Sequence, residues 1–399
     1  MRLNSNVLIL ALCQALMMTA NSLLIASSAL VGLRLAANDS LATLPLALQL
    51  LSTMVASIPA SLLMGRVGRR AGFMLGSVVG VAGAALGAAA IMQHRFWWFC
   101  AAAALLGLFN GFGIYYRFAA ADAVPAAQRT RAISYVLAGG VLAAFLGPNL
   151  ANWTRDAFDG APFAGSLLAL VLVYLASLLL QAGLRIPVPP RPSLDAVPAR
   201  PLAVIARQPV FLVALLCATL GYALMSFIMT ATPLAMHRQL HDFSDTAFVI
   251  QWHVFAMFAP SFITARLIER VGVLSIMLTG AACIATCIAV NLLGATVWHY
   301  WTALCLLGVG WNFLFVGGTT LLTGSYREAE KARAQALNDF VVFTAVAAAS
   351  WSAGLLHHEL GWRWLNLGAL PAVLAVFGAL LWLRGRGPLK LYVARGLDA

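Results

Sequence analysis

Apolar runs long enough to cross a lipid bilayer recur along the whole chain, and no other feature limits its fold so strongly. The hydrocarbon core of a bilayer takes about 20 helical residues to cross. Such runs start near Asn6, Ala42, Ala71, Trp97, Arg131, Pro162, Pro209, Ala247, Val273, Val297, Arg333 and Trp362, which makes twelve candidate spans. Of the 399 residues 62% are hydrophobic and 10% charged, more apolar surface than a soluble chain of this length needs. Strand-like alternation between turn signals is absent, which argues against an outer-membrane barrel. The first run is too long for a signal peptide and lacks a clean small-residue cleavage site, so it reads as a retained first helix.

The net charge of +12 would point to nucleic acid in a soluble chain. Here the basic residues fall in alternate loops, as the positive-inside rule requires, and no nucleic-acid partner is expected. One set of loops holds Arg66, Arg69 and Arg70, then Arg129 and Arg131, Arg266 and Arg270, and Lys331 and Arg333. The opposite loops hold little beyond Arg95, Arg155, Arg238 and Arg363. The expected arrangement is a membrane crossed an even number of times, with both termini cytoplasmic. Six histidines (His94, His237, His241, His299, His357, His358) lie at outer ends or loops, and only His253 lies inside a span. The six cysteines all sit in apolar segments, where thiols usually act as small hydrophobes.

Prolines at 187, 189, 190, 192, 198 and 201 forbid a spanning helix there and favour an extended connector. The expected division is a six-helix bundle over 1–185, a Pro-rich cytoplasmic linker over 186–208, a second six-helix bundle over 209–385 and a tail over 386–399. A weak repeat supports it. Leu105-Leu106-Gly107 with Asn110 resembles Leu306-Leu307-Gly308 with Asn312, and Arg129-x-Arg131-Ala132 resembles Lys331-x-Arg333-Ala334. Between spans two and three, Arg66-Val67-Gly68-Arg69-Arg70 resembles the signature loop of the major facilitator superfamily, with Gly65 where that loop usually has an aspartate. Glycine permits the tight turn, and the arginines suit helix C-termini and lipid phosphates. The resemblance implies an all-α membrane protein with twelve transmembrane helices in two six-helix bundles and substrate bound between them. Arg66, Gly68, Arg69 and Arg70 are its expected structural or gating residues.

The candidate site lies in spans seven and eight. Met225-x-x-x-Met229 and His253-x-x-x-Met257 each place two residues on one helical face, about one turn apart. The motifs mirror each other about residue 241, so an antiparallel helical hairpin would set Met229 level with His253 and Met225 level with Met257. Thioethers select Cu(I) and imidazole also suits copper. Cys217 continues the face of span seven and could act as an inner relay. Arg117, Asp339 and Cys283-x-x-x-Cys287 are further candidates, each more readily read as an interfacial or packing residue.

Residues 225–236 and 250–261, together with Pro59-Ala60-Ser61 and 147–153, are similar to the CcoA-like copper importers, a branch of the major facilitator superfamily. That resemblance implies copper import across the inner membrane by alternating access, in support of cbb3-type cytochrome oxidase assembly. It also implies ligation by Met225, Met229, His253 and Met257, with a cysteine at Cys217. Copper would be the transported substrate, with no bound cofactor. The bilayer, a cytoplasmic copper chaperone and a monomeric state complete the expectation. Gln239 stands where relatives often carry a loop cysteine, which leaves transport to thioether and imidazole. The alternative reading is a carrier of an organic solute, such as riboflavin or a drug-like molecule, seated between apolar faces. No phosphate-binding P-loop is present, and no convergent set of His and carboxylates points to an enzyme.

Overall fold

The computed structural model describes residues 4–125, 129–186, 200–327 and 330–386. Most of the Pro-rich linker and the tail beyond 386 lie outside them. The first half consists of α1 (Ser5–Leu35), α2 (Leu44–Val67), α3 (Arg69–Met92), α4 (Phe96–Gly113), α5 (Tyr116–Asp122), α6 (Arg129–Thr154) and α7 (Ala164–Ala182). The short α8 (Leu202–Ala206) precedes the second half. That half runs through α9 (Pro209–Arg238), α10 (Phe243–Phe258), α11 (Ser261–Val271), α12 (Val273–Leu293), α13 (Val297–Thr323) and α14 (Lys331–Gly385).

Among the described residues, nine helical stretches are long and apolar enough to cross a membrane, and α10 with α11 makes a tenth, bent by 44°. α14 is two crossings, because Gly361 breaks its helix with φ 77° and ψ 176°. The remaining crossing is α6, whose 26 residues reach about 39 Å at 1.5 Å each. The twelve expected spans are thus accounted for, with α5 finishing the fourth at Asp122.

Two glycines mark the repeat more sharply than the sequence motifs do. Gly68 joins α2 to α3 with φ 87° and ψ 158°, and Gly272 joins α11 to α12 with φ 86° and ψ 149°. Both follow an Arg-Val pair, Arg66-Val67 and Arg270-Val271. An L side chain rarely adopts that backbone, so glycine is required at each turn. Arg69 then reaches Asp122 at the end of α5, an ion pair of 2.9 Å. Asp122 therefore supplies a carboxylate near the loop that Gly65 cannot. Arg66 and Arg70 are exposed.

Small residues let the helices approach closely within each half. The glycines of α6 pack on α1, with Gly139 against the Ala11 carbonyl and Gly147 against Thr19 and Ser22. This is the packing role expected of small residues in membrane bundles. Side chains from the two halves then meet at the end away from the arginine-rich loops and around the middle of the spans. Thr43 Oγ1 donates to the Trp351 carbonyl at 3.0 Å and accepts from the Gly354 N–H at 3.2 Å. His358 lies 3.8 Å from Asp39, and Phe163 packs edge-on against Phe243. At the arginine-rich end, no hydrogen bond or ion pair between the halves occurs among the described residues.

Candidate functional site

The hairpin expected from the Met and His motifs forms only in part. α9 ends at Arg238 and α10 begins at Phe243, so the chain does turn near His241. The two helices then diverge. α9 packs chiefly against α14 and α13, whereas α10 packs against α13 and α6, and α9 and α10 make little contact. The cause lies in which faces carry the fitting groups. Ser226 and Thr230 of α9 both bond the Ser350 hydroxyl of α14, at 2.7 and 3.2 Å. Gly221 of α9 admits Leu314 of α13. α10 instead presents its backbone to Gly308 of α13, where a Cβ would meet the His253 carbonyl oxygen at 2.7 Å. The side-by-side pairing of Met229 with His253 and of Met225 with Met257 is therefore corrected.

All five expected ligands are buried: Cys217, Met225, Met229, His253 and Met257. His253 is fully enclosed, and its Nδ1 donates to the Leu304 carbonyl of α13 at 2.7 Å. That bond leaves Nε2 bare and without a partner. The Met257 carbonyl accepts from Asn312 Nδ2 at 2.7 Å, and Asn312 also holds Ser261 and Thr264. Asn312 thus braces the break at Pro260, where the α10–α11 ladder loses a donor. No group of three or more His, Cys, Asp or Glu side chains arranged for a metal occurs among the described residues. Cys283 and Cys287 are free thiols of α12, and Cys287 accepts a weak bond from Asn291.

The repeat gives His253 a counterpart. In the first half, Gly107 of α4 packs on the Gln49 carbonyl of α2, as Gly308 of α13 packs on the His253 carbonyl of α10. Gln49 and His253 therefore occupy equivalent places, each a polar residue held against the glycine of a Leu-Leu-Gly run. A packing role for the imidazole follows from that position without any metal.

Two groups of side chains that the sequence reading passed over meet near the middle of the membrane. The first is a set of amides. Asn21 Oδ1 of α1 accepts from Gln49 Nε2 of α2 at 3.0 Å and from Asn110 Nδ2 of α4 at 2.8 Å. Asn110 Oδ1 is buried and has no partner. The second is an aromatic wall in the other half. Trp311 and Phe315 of α13 stack at 4.9 Å and 12°. Tyr222 of α9 sits edge-on to both rings, at 5.3 and 5.9 Å, and Phe343 of α14 lies 6.0 Å from Tyr222. Phe258 joins Trp311 from α10 at 6.1 Å. Trp311 Nε1 is likewise buried without a partner.

These groups adjoin across the seam. Leu50, next to Gln49, packs with Tyr222 against Ala218, Val342 and Val346. Gly140 of α6 leaves room for the Phe258 ring, and Met54 Sδ of α2 accepts from Thr344 Oγ1 of α14 at 3.3 Å. Asn21, Tyr222, Phe258, Phe315 and Phe343 are all half-buried, as residues bordering a central space would be. Nearer the arginine-rich end, the Arg117 guanidinium lies 4.8 Å over Phe118 while Asp339 is exposed and accepts from Asn338. These two charges come from opposite halves, Arg117 from α5 and Asp339 from α14. Chemically, the centre offers flat aromatic surface on one side and unspent amide groups on the other. Rings bind rings by stacking, and buried amides demand hydrogen-bonding partners.

Comparison with known proteins agrees with this architecture. The sequence profile described as Major Facilitator Superfamily matches residues 10–313 and 214–396. The riboflavin transporter RfnT of Brucella anthropi is 41% identical over 377 residues, covering 94% of this chain and 95% of its own length. Two Bacillus subtilis proteins, the uncharacterized MFS-type transporters YdeG and YddS, are 28% and 26% identical over 90% and 86% of this chain. They are covered over 87% and 83% of their own lengths. The chain is a multi-pass membrane transporter of a small solute and not an enzyme. With its matched span and its twelve crossings, it belongs to the Major Facilitator Superfamily.

Proposed function

We propose that this protein carries riboflavin, or a closely related flavin, across the bacterial inner membrane by alternating access between the halves 1–185 and 209–385, with both termini cytoplasmic. The observation that carries this reading is the 41% identity to a riboflavin transporter over nearly the full length of both chains. The central geometry supports it. A flavin is a flat, fused heteroaromatic ring with a polar imide edge and a hydroxylated side chain. The wall of Tyr222, Trp311 and Phe315 suits its faces, and the amides of Asn21, Gln49 and Asn110 suit its edge.

Copper import is the second reading, and one observation favours it. His253 Nε2 is buried without a partner, and the thioether of Met257 lies one helical turn along the same span. Delivery of copper to cbb3-type oxidase assembly, or to a cytoplasmic chaperone, depends on that reading. A single experiment separates the two. Radiolabelled riboflavin and radiolabelled copper are offered to cells that lack their own uptake systems and produce this chain. Riboflavin accumulation above the empty-vector level, with copper unchanged, is the expected result. Copper accumulation that His253→Ala abolishes, with no riboflavin uptake, would replace the flavin reading by the copper one.

A further inference from the structure

Resting on the flavin reading, we propose that the Asn21–Gln49–Asn110 amide set is the specificity filter of the site and recognises the substrate's cyclic imide edge. Asn21 Oδ1 already accepts two hydrogen bonds, at 3.0 and 2.8 Å, so its acceptor capacity is filled. What the set still offers is donor capacity on the Asn21 amide nitrogen, and acceptor capacity on Gln49 Oε1 and Asn110 Oδ1. The Asn110 oxygen is the telling atom. Asn110 is 7% exposed and Gln49 4%, yet the Asn110 carbonyl oxygen has no partner. A buried amide oxygen left bare normally awaits a ligand or an ordered water.

The Asn21 donor beside the Asn110 acceptor is complemented by a C=O next to an N–H. That is the pattern of a pyrimidinedione ring, which forms one end of a flavin. An imide N–H would satisfy Asn110 Oδ1, and an adjacent carbonyl would accept from Asn21. The location fits such an edge. Leu50, the residue after Gln49, packs on the same Ala218, Val342 and Val346 cluster as Tyr222, so a ring bound along the aromatic wall would turn one end toward the amides. A solute of the same shape without the imide proton would leave the Asn110 oxygen bare, and sites built to hydrogen-bond a group discriminate strongly against analogues that lack it.

The test uses the full chain in riboflavin-auxotrophic cells, with riboflavin as labelled substrate and N3-methylriboflavin as competitor. The methyl group removes the imide N–H and keeps the ring. In the wild type, N3-methylriboflavin is expected to compete at least about tenfold more weakly than unlabelled riboflavin. Asn110→Leu should raise the riboflavin KM about tenfold and abolish the preference, with Gln49→Leu as a second variant and membrane levels followed by an epitope tag. Equal competition by the two compounds in the wild type would overturn the proposal, as would a preference that survives Asn110→Leu. The competition assay needs no variant, so a misfolded mutant cannot rescue the idea. A wild type that takes up no riboflavin overturns the flavin reading first, and this inference with it.

Discussion

Asn149 and Gln251 meet at 2.6 Å across the seam between the two halves, one from α6 and the other from α10. Phe145 flanks the pair, packing edge-on against Trp252 and Phe255 at 6.0 and 5.7 Å. A bond that bridges the halves must break when they part there. Asn149→Cys combined with Gln251→Cys should therefore arrest transport when oxidised and restore it when reduced. Uptake before and after dithiothreitol gives the readout, with each single cysteine as control. Undiminished uptake in the oxidised, cross-linked protein would show that this seam stays shut throughout the cycle.

The aromatic wall makes a second prediction. Aromatic pairs contribute about 0.5–1.5 kcal/mol beyond their buried area, and 1.4 kcal/mol is about tenfold in affinity. Tyr222→Leu keeps apolar bulk without a ring and should raise the riboflavin KM about tenfold. Tyr222→Phe keeps the ring and should leave KM within about threefold, since the stacking contribution is preserved. Saturation curves for both variants decide the matter. Equal losses in the two would mean that the hydroxyl matters and the ring face does not.

Much of this architecture was legible in the chain. The run starts near Asn6 through Trp362 located every crossing, because a bilayer imposes the same length on each. Gly68 announced its turn, since few other residues tolerate its backbone. Asp122 as the partner of Arg69 was not legible, because a contact between α3 and α5 leaves no local pattern. The reading of His253 as a ligand had a physical basis, as a lone imidazole in a span needs a partner. The partner it found is the Leu304 backbone carbonyl, which every residue type carries and no motif can reveal. The aromatic wall was missed because its rings come from α9, α10, α13 and α14. Trp311 and Phe315, one turn apart, were its one local sign. Three amides at Asn21, Gln49 and Asn110, each inside an apolar run, were the sign of the polar half of the site.

The thioethers provide a third prediction. Met225 and Met257 are buried, and Leu is a volume-conserving replacement that usually costs less than about 1.5 kcal/mol. The double variant Met225→Leu with Met257→Leu should therefore fold and carry riboflavin within about twofold of the wild type, as expected for packing residues. Copper carried by thioether exchange would be lost in the same protein. Riboflavin uptake that collapses at normal membrane levels would place these side chains in the flavin site itself.

The last prediction concerns the arginine-rich face, where Arg200 at the end of the linker grips Glu330 just before α14. The guanidinium donates to both carboxylate oxygens, at 2.7 and 2.8 Å, and the Arg200 and Arg327 backbone N–H groups donate at 3.0 and 2.9 Å. Arg200 Nη2 also reaches the Ser325 carbonyl at 3.4 Å, and Gln208 Nε2 reaches the same oxygen at 3.0 Å. The Arg200 hydrogen bond, with help from the two backbone donors, holds the Glu330 carboxyl down at about 2. An unfolded glutamate titrates near 4.3, so the folded value is depressed. A depressed carboxylate stabilises the fold fully above its unfolded pKa, and that stabilisation is lost as pH falls toward the folded value. Glu330→Gln should lower the apparent melting temperature by about 2–4 °C at pH 7. The gap from wild type should narrow below about pH 4.3 and close toward pH 2. Melting curves of both proteins at one scan rate, from pH 7 down to 3, measure it. A gap that holds constant across that range would mean the carboxylate's charge contributes nothing and that only its shape matters.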